Sequence, residues 1–432
     1  MRLLKKLIPF IYIILSLLAT FFWFKEHEIL AGLEEGLVFT EFEKSFQRSQ
    51  YLWQEYVLLG VNQPAFFGHI LFGYFGFFLS SHNIANVDIQ RVVFGAVFAI
   101  NGIGMYFLTL YFLKGRKERY LCAFIAGLFY MFNTFSFLSI WNRFIFSFIF
   151  VSPVIPFCLL FYSKLLKEAK VLYLYLMVVL LSLLCLTFNN PSNIIIIFFL
   201  SSVYLLFFSC ENWNNKKKLF NAYQNSFFLL IAVIIVSLWW LVSYSSSSKF
   251  FTQAFSTEDN ILSLKGVSQH FTLRMVIRGI NPSILYNPDY WGKIYTTTFF
   301  EILSFIPPVV VFLTIGFKIK ERVVWFFGFI TIVVLFVMKG TNPPFGGLLV
   351  WSFIHFPVMQ VFRNPYEKFG LLWPLCYSFL FGYGVGHFYY WMKQKLEYLE
   401  INKRSFYNYF PQEIVKKICN NFKEYTMSKP KY

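Results

Sequence analysis

Long apolar runs recur along this chain, and they constrain its fold more than any other feature. Each run holds about 20 residues, which as an α-helix is long enough to cross roughly 30 Å of hydrocarbon. Hydrocarbon offers no partners to backbone polar groups, so helices satisfy them internally. Of the 432 residues, 57% are hydrophobic and 14% are charged, whereas a soluble domain carries about 25% charged residues. The sequence therefore predicts an all-α polytopic membrane protein.

Basic side chains between the runs indicate the orientation of the chain. The formal net charge is +17, and the Lys and Arg residues form short clusters, the pattern found on the cytoplasmic face of membrane proteins. This distribution argues against nucleic acid as a partner. Residues 7–24 follow Arg2, Lys5 and Lys6 without a small-residue cleavage motif, so we predict a retained first span rather than a signal peptide.

The number of spans depends on residues 64–80, which are apolar but contain Gly68, His69, Gly73 and Gly76. If this segment spanned, the basic cluster at 114–119 and every later basic loop would face outward. We interpret it as a helix lying in, or dipping into, the outer interface; an ordinary span is the alternative. About ten spans result, with both termini cytoplasmic in the cell (plasma) membrane. The predicted spans are 7–24, 92–113, 119–137, 144–163, 171–188, 193–209, 226–242, 298–317, 323–338 and 369–391.

This topology places three long loops on the outer face, at residues 25–91, 243–297 and 339–368. We expect these loops to carry interfacial helices. Residues 1–391 would form the transmembrane domain, and residues 392–432 a basic cytoplasmic tail. Because the inner connections are short, the concentration of long loops on one face indicates that a site is assembled there.

The first outer loop is acidic, whereas the chain as a whole is basic. A carboxylate can accept a proton from a hydroxyl group as a general base. Glu41 and Glu43 lead into an aromatic amphipathic stretch and are our candidate catalytic residues; a solvated acidic face is the alternative. The acidic residues of this loop are Glu26, Glu28, Glu34, Glu35, Glu41, Glu43 and Glu55.

Three cations are predicted on the outer face, where Lys and Arg are usually scarce. Arg363 and Lys368 precede the last span, and Arg143 lies between two earlier spans. A guanidinium offers a planar fork to phosphate oxygens and an ammonium adds a point charge, so all three are candidate phosphate-binding residues. The alternatives are interfacial anchoring for Arg363 and Lys368, and snorkelling for Arg143.

Four further residues are candidates for substrate binding: Asn133, Asn190, His270 and Arg274. Asn133 lies in a Phe-Asn-Thr-Phe turn, and Asn190 lies in a polar turn that Asn and Pro chemistry alone also explains. His270 and Arg274 belong to the basic second outer loop.

His270 has no second His or Cys at ligand spacing, so no metal site is predicted on it, although a divalent ion held by carboxylates stays open as a cofactor. The six cysteines have no paired spacing, which argues against a disulfide framework.

The order of these features resembles the α-(1→3)-arabinofuranosyltransferases of mycobacterial type, which belong to the GT-C superfamily of lipid-dependent glycosyltransferases. The resemblance runs from about residue 25 to residue 391. It rests on the acidic first outer loop, Asn133, Asn190-Pro191, Leu238-Trp239-Trp240-Leu241, Phe362-Arg363-Asn364-Pro365 and Lys368-Phe369.

The resemblance implies a GT-C-like bundle that transfers a sugar, with inversion, from a polyprenyl-phosphate donor to a glycan or glycolipid acceptor on the outer face. The implied base is a carboxylate of the first outer loop, and Glu41 or Glu43 lies nearest that position, where the family typically has Asp. The expected partners are the lipid-linked sugar, the acceptor and membrane lipids. A composition rich in Phe, Ile, Asn and Lys is typical of a genome of low GC content, in which an arabinan cell wall is not expected. We therefore do not expect arabinose to be the sugar.

Two other functions are compatible with the sequence. A transporter or flippase of lipid-linked oligosaccharides usually has internal repeats and charged or broken helices at the membrane midplane. We find no repeat, and charges within the predicted spans are nearly absent, with Glu301 near the end of one. A non-catalytic scaffold in an envelope-assembly complex is the second alternative.

Overall fold

The computed structural model describes residues 2–24, 28–30, 39–51, 53–54, 61–62, 70–184, 191–253, 256–281 and 293–409. Helices make up almost all of the regular structure in these ranges. The strand pairing among them is a two-residue antiparallel contact between β1 (Trp53–Gln54) and β2 (Val61–Asn62).

The described residues of the first half of the chain form nine α-helices and a short π-helix. They are α1 (Arg2–Trp23), α2 (Phe42–Ser49), α3 (Ile70–Ser81), α4 (Asn86–Phe112), α5 (Arg119–Met131), the π-helix (Ser136–Trp141), α6 (Phe146–Glu168), α7 (Val171–Ser182), α8 (Pro191–Glu211) and α9 (Lys216–Gln253).

The second half begins with several short helices and ends with a long one. They are α10 (Thr257–Ser268), α11 (Leu273–Arg278), α12 (Lys293–Tyr295), α13 (Thr298–Ser304), α14 (Ile306–Lys318), α15 (Arg322–Met338), α16 (Gly346–His355), a 3-10 helix (Pro357–Phe362), α17 (Pro365–Phe369) and α18 (Leu372–Tyr409).

Six helical segments of the described chain are long and apolar enough to cross a membrane. This composition and helical content are those of an all-α, multi-pass membrane protein. The six segments are Asn86–Phe112, Arg119–Trp141, Phe146–Glu168, Ser192–Glu211, Lys216–Trp239 and Thr298–Lys318.

The predicted number of about ten spans is therefore only partly supported. The apolar parts of α1 and α15 hold 17 residues each, and α7 holds 12 described residues. The last predicted span lies in α18, which mixes Gly, Tyr and His with its apolar residues. Helix α3 has 12 residues, or about 18 Å at 1.5 Å per residue, which is less than the hydrocarbon thickness. The rest of the segment 64–80 lies outside the described residues.

Three predicted spans also differ in detail from the helices observed. The span predicted at 226–242 belongs to α9, a continuous helix of 38 residues that includes the start of the predicted second outer loop. The span at 298–317 is divided at Phe305 between α13 and α14. The span at 119–137 passes from α5 into the π-helix, after a bend at Phe132 and Asn133.

Helix α18 lies at the centre of the bundle. It packs against α4, α5, α6, α14 and α15, and its first three turns are almost wholly buried. Close approach to α5 requires a small residue at Gly382, because a Cβ there would lie 2.6 Å from the carbonyl oxygen of Cys122.

Polar contacts collect at two opposite ends of the bundle, which we call the Glu321 end and the Glu367 end. At the Glu321 end, Glu321 accepts hydrogen bonds from Arg116 (2.8 Å) and from the Tyr383 hydroxyl (2.7 Å). Arg322 pairs with Glu211 at 3.0 Å. The loops after α4, α8 and α14 therefore meet at this end, as expected for the connections predicted to be cytoplasmic.

Candidate functional site

The site at the Glu367 end begins with the cap of a short helix. The Asn364 side chain accepts a hydrogen bond from the backbone N–H of Glu367 (3.3 Å) and donates one to its carboxylate (2.7 Å). Pro365 occupies the first helical position, where its fixed φ and missing N–H cost little. Asn364 is thus the N-cap of α17, and its side-chain amide fixes the direction of the Glu367 carboxylate.

The Glu367 carboxylate is buried and draws together three segments that are distant in sequence. It forms an ion pair with Arg143 and accepts a hydrogen bond from the Asn281 amide at 3.1 Å. Burial of a carboxylate is costly unless it is paired and hydrogen-bonded, and both oxygens have such partners. We call Arg143, Asn281, Asn364 and Glu367 the Glu367 cluster.

Local backbone structure directs Arg143 into this cluster. The π-helix ends two residues before it, and Phe144 follows in the left-handed conformation, at φ 58°. That conformation is unfavourable for a non-glycine residue and needs support from its surroundings. The buried Phe144 ring packs against Phe94, with centroids 5.0 Å apart, and against Phe146 at 5.7 Å. Packing of Phe144 therefore holds the turn that carries Arg143.

Lys368 and Arg363 lie beside the Glu367 cluster. The Lys368 ammonium donates a hydrogen bond to the Val361 carbonyl at 2.8 Å. Removal from water, together with the nearby Arg363 charge, lowers the pKa of Lys368 to about 8, while Glu367 opposes this shift. A buried ammonium close to a second cation forms a suitable place for an anion.

A second ionic group, formed by Arg278, Glu301 and Arg274, adjoins this region. The buried Arg278 donates from Nε to the Ser304 hydroxyl (2.7 Å) and lies 3.4 Å from Glu301, which also pairs with the exposed Arg274. The Arg278 carbonyl accepts a hydrogen bond from Thr134 at 2.7 Å. Arg274, predicted to bind substrate, is thus joined to the Glu367 end through Glu301.

Asn133 and His270 have different surroundings. Asn133 is buried, donates to the carbonyls of Phe129 (3.1 Å) and Tyr130 (3.0 Å), and exchanges hydrogen bonds with Ser136. These contacts stabilise the bend between α5 and the π-helix. His270 is exposed, just after α10. Asn190 lies outside the described residues.

Glu41 and Glu43 lie at the start of α2. Glu41 forms an exposed ion pair with Lys44 at 2.7 Å, and Glu43 accepts a hydrogen bond from Gln47 at 3.3 Å. Among the contacts described, none joins either carboxylate to Arg143, Arg363 or Lys368. Four other acidic residues of the predicted first outer loop, Glu26, Glu34, Glu35 and Glu55, lie outside the described residues.

An aromatic cluster nevertheless places Glu41 at the same end of the bundle as Arg143. Phe39 precedes Glu41 by two residues, and its ring lies 5.3 Å from that of Phe94. Phe94 in turn contacts Phe144, the residue after Arg143. The first outer loop and the Arg143 turn are therefore packed against a common aromatic core.

Glu367 and Asn281 were not predicted as site residues. The sequence carries a signal for part of this arrangement, because Asn364 followed three residues later by Glu367 is a capping pattern. That pattern predicts the start of a helix but not the pairing of Glu367 with Arg143, which is 224 residues away. Only tertiary packing brings Arg143 and Asn281 to this carboxylate.

The fold and these contacts define a multi-pass helical membrane protein with a cation-rich polar site at one end of its bundle. No family model, curated protein or solved structure matches the chain. Among the described residues, no group of three or more His, Cys, Asp or Glu side chains is placed to hold a metal ion.

Proposed function

We propose that this chain is a membrane glycosyltransferase that moves a sugar from a polyprenyl-phosphate donor to a cell-envelope glycan or glycolipid acceptor. The observation that carries this proposal is the ion pair of Arg143 with Glu367 next to Lys368, on which the Arg363 charge also acts, at one end of an apolar bundle. A phosphate bound there can keep its prenyl tail in the hydrocarbon beside the helices. Arg and Lys are the side chains suited to phosphate oxygens.

The proposed reaction needs a base and a stabilised leaving group. The acceptor hydroxyl gives its proton to Glu41 or Glu43 as its oxygen bonds to the anomeric carbon of the sugar. The bond from that carbon to the phosphate oxygen breaks on the opposite face, which inverts the configuration. The phosphate keeps the electron pair, and the cations stabilise its charge.

The proposed orientation places the Glu367 end outside the cell membrane. The Glu321 end carries the short basic connections that the positive-inside pattern assigns to the cytoplasm. Both termini are then cytoplasmic, and the lipid-linked sugar and its acceptor meet on the extracytoplasmic face. In this arrangement the roughly ten predicted spans alternate between the two ends.

The direct test is sugar transfer by the purified protein in lipid nanodiscs. A set of radiolabelled polyprenyl-phospho-sugars would be supplied with an envelope glycan acceptor. We expect transfer with one donor, and a loss of roughly 100-fold or more in the Arg363→Ala, Lys368→Ala double variant. The Glu41→Gln, Glu43→Gln double variant is expected to lose transfer as well.

Arg322→Ala is the matched control, because it removes a cation from the Glu321 end and is expected to transfer at the wild-type rate. Transfer that survives both double variants would overturn the assignment of the residues. Absence of transfer with every donor would overturn the glycosyltransferase proposal and favour a transporter or a scaffold.

A further inference from the structure

Glu367 is the acidic residue in a group whose other charged residues, Arg143, Lys368 and Arg363, are cations. Its carboxylate holds the Arg143 guanidinium and the amides of Asn281 and Asn364, with distances of 3.1 Å and 2.7 Å to the two amides. These partners come from three separate parts of the chain. Glu367 is therefore the point at which the Arg143 turn, the segment after α11 and α17 are joined.

The same carboxylate adjoins Lys368 in α17 and acts on its charge. The other charge that acts on the ammonium is Arg363, while the buried Tyr366 lies next to Glu367 in sequence. Helices α8 and α15 pack against α17, but their charged residues, Glu211 and Arg322, pair with each other at the Glu321 end. Glu367 is thus the nearby negative charge that favours the ammonium form of Lys368.

We infer that Glu367 is a positioning residue for the donor phosphate: it fixes Arg143 in place and sets the charge balance around Lys368. This inference rests on the proposed function, since it assumes that the cations bind a phosphate. Glu367 acts through its neighbours, and the phosphate contacts the cations rather than the carboxylate.

Because of the neighbouring charges, this role predicts how the affinity for phosphate depends on pH. With a pKa of about 8, Lys368 loses its charge as the pH rises through that value, so affinity for an anion falls there. Removal of the Glu367 charge lowers the pKa of Lys368 further and moves this loss to lower pH. Removal of the Arg143 charge leaves Glu367 less compensated and moves the loss to higher pH. Opposite shifts do not arise from general damage to the fold.

The experiment measures binding of a short-chain polyprenyl monophosphate to the full-length protein in nanodiscs between pH 6 and pH 10. For Glu367→Gln we expect weaker binding than wild type at every pH, because Arg143 loses its partner. We also expect a midpoint at lower pH, so that the weakening is at least 3-fold greater at pH 8.5 than at pH 6. Glu367→Asp keeps the charge and is expected to keep the wild-type midpoint. Lys368→Met is expected to abolish the pH dependence near 8.

Arg143→Met provides a second test if Glu367→Gln fails to fold, with its midpoint expected above that of the wild type. Wild-type affinity of Glu367→Gln at pH 6 would overturn the positioning of Arg143 by Glu367, and a midpoint unchanged in Glu367→Gln or in Arg143→Met would overturn the role of Glu367 in the charge balance around Lys368. Binding is measured without transfer, so wild-type protein that binds the phosphate with this pH dependence but transfers no sugar contradicts the proposed function alone.

Discussion

Arg278 illustrates how a single buried charge is accommodated at the Glu367 end. Its guanidinium lies 5.0 Å from the centre of the Phe305 ring and donates to the Ser304 hydroxyl at 2.7 Å. Burial, reinforced by the Arg274 charge, lowers the pKa of Arg278. Glu301 counteracts this cost from 3.4 Å. The arginine therefore ties α11 to α13 through several partners at once.

We predict that Arg278→Met lowers the stability of the protein by about 3 kcal/mol, because removal of one partner of a buried ionic group leaves the others uncompensated. Arg274→Met is the matched control and is expected to change stability by less than about 1 kcal/mol, since the Arg274 side chain is 64% exposed. Thermal unfolding in detergent, followed by tryptophan fluorescence, measures both. Equal losses of stability in the two variants would contradict the burial of Arg278 in its ionic group.

At the scale of single residues, the sequence does not show which cation of an outer loop is buried and which is exposed. Arg274 and Arg278 are four residues apart in the same basic loop, yet one side chain is exposed and the other is buried. Both pair with Glu301, and their difference follows from the contacts of Arg278 alone with Ser304 and the Phe305 ring. The same holds for Glu367, whose partners Arg143 and Asn281 no local pattern connects to it.

At the scale of elements, hydropathy predicted the positions of most long helices because burial in a membrane depends on local composition. It did not predict where helices continue or bend. Helix α9 extends past Val242 because no Pro or Gly interrupts it up to Gln253. The bend after α5 depends on hydrogen bonds from Asn133 to Phe129 and Tyr130, which no hydropathy pattern records.

The packing of α18 on α5 is sensitive to side-chain size. A Cβ at Gly382 would lie 2.6 Å from the Cys122 carbonyl oxygen and 2.7 Å from the Ala126 backbone nitrogen, whereas a Cβ at Gly316 meets no atom within 4 Å. We predict that Gly382→Ala lowers stability by about 1–3 kcal/mol through overpacking.

Gly316→Ala is the control for helix propensity, since Ala is favoured over Gly in a helix by about 1 kcal/mol. It is expected to leave the unfolding temperature unchanged or to raise it. The same thermal unfolding measurement compares the two variants. A Gly382→Ala protein as stable as Gly316→Ala would contradict the close approach of α18 and α5.

At the scale of the whole molecule, the central feature is the separation of two polar ends by an apolar bundle. The loops predicted to be cytoplasmic meet around Glu321, and the segments that carry Arg143, Asn281 and Glu367 meet at the other end. The sequence predicts this separation because basic clusters and apolar runs alternate in a regular order. The orientation of the two ends in a membrane is the part on which the proposed function depends.

The measurement that tests this orientation most directly is labelling of single cysteines by a membrane-impermeant maleimide on spheroplasts. The labelled positions are the exposed Glu258 and the exposed Lys320, which is beside Glu321. Glu258 lies at the Glu367 end, because Asn260 in the same turn of α10 donates a hydrogen bond to Gln360 at 3.1 Å. Both would be introduced after the cysteines at 185, 210 and 419 have been replaced by serine. The described cysteines that stay in place, Cys122, Cys158 and Cys376, are buried.

We predict that Glu258→Cys is labelled on intact spheroplasts and that Lys320→Cys is labelled only after the membrane is permeabilised. Labelling of Lys320→Cys on intact spheroplasts, with protection of Glu258→Cys, would place the cation-rich end in the cytoplasm and contradict transfer on the extracytoplasmic face.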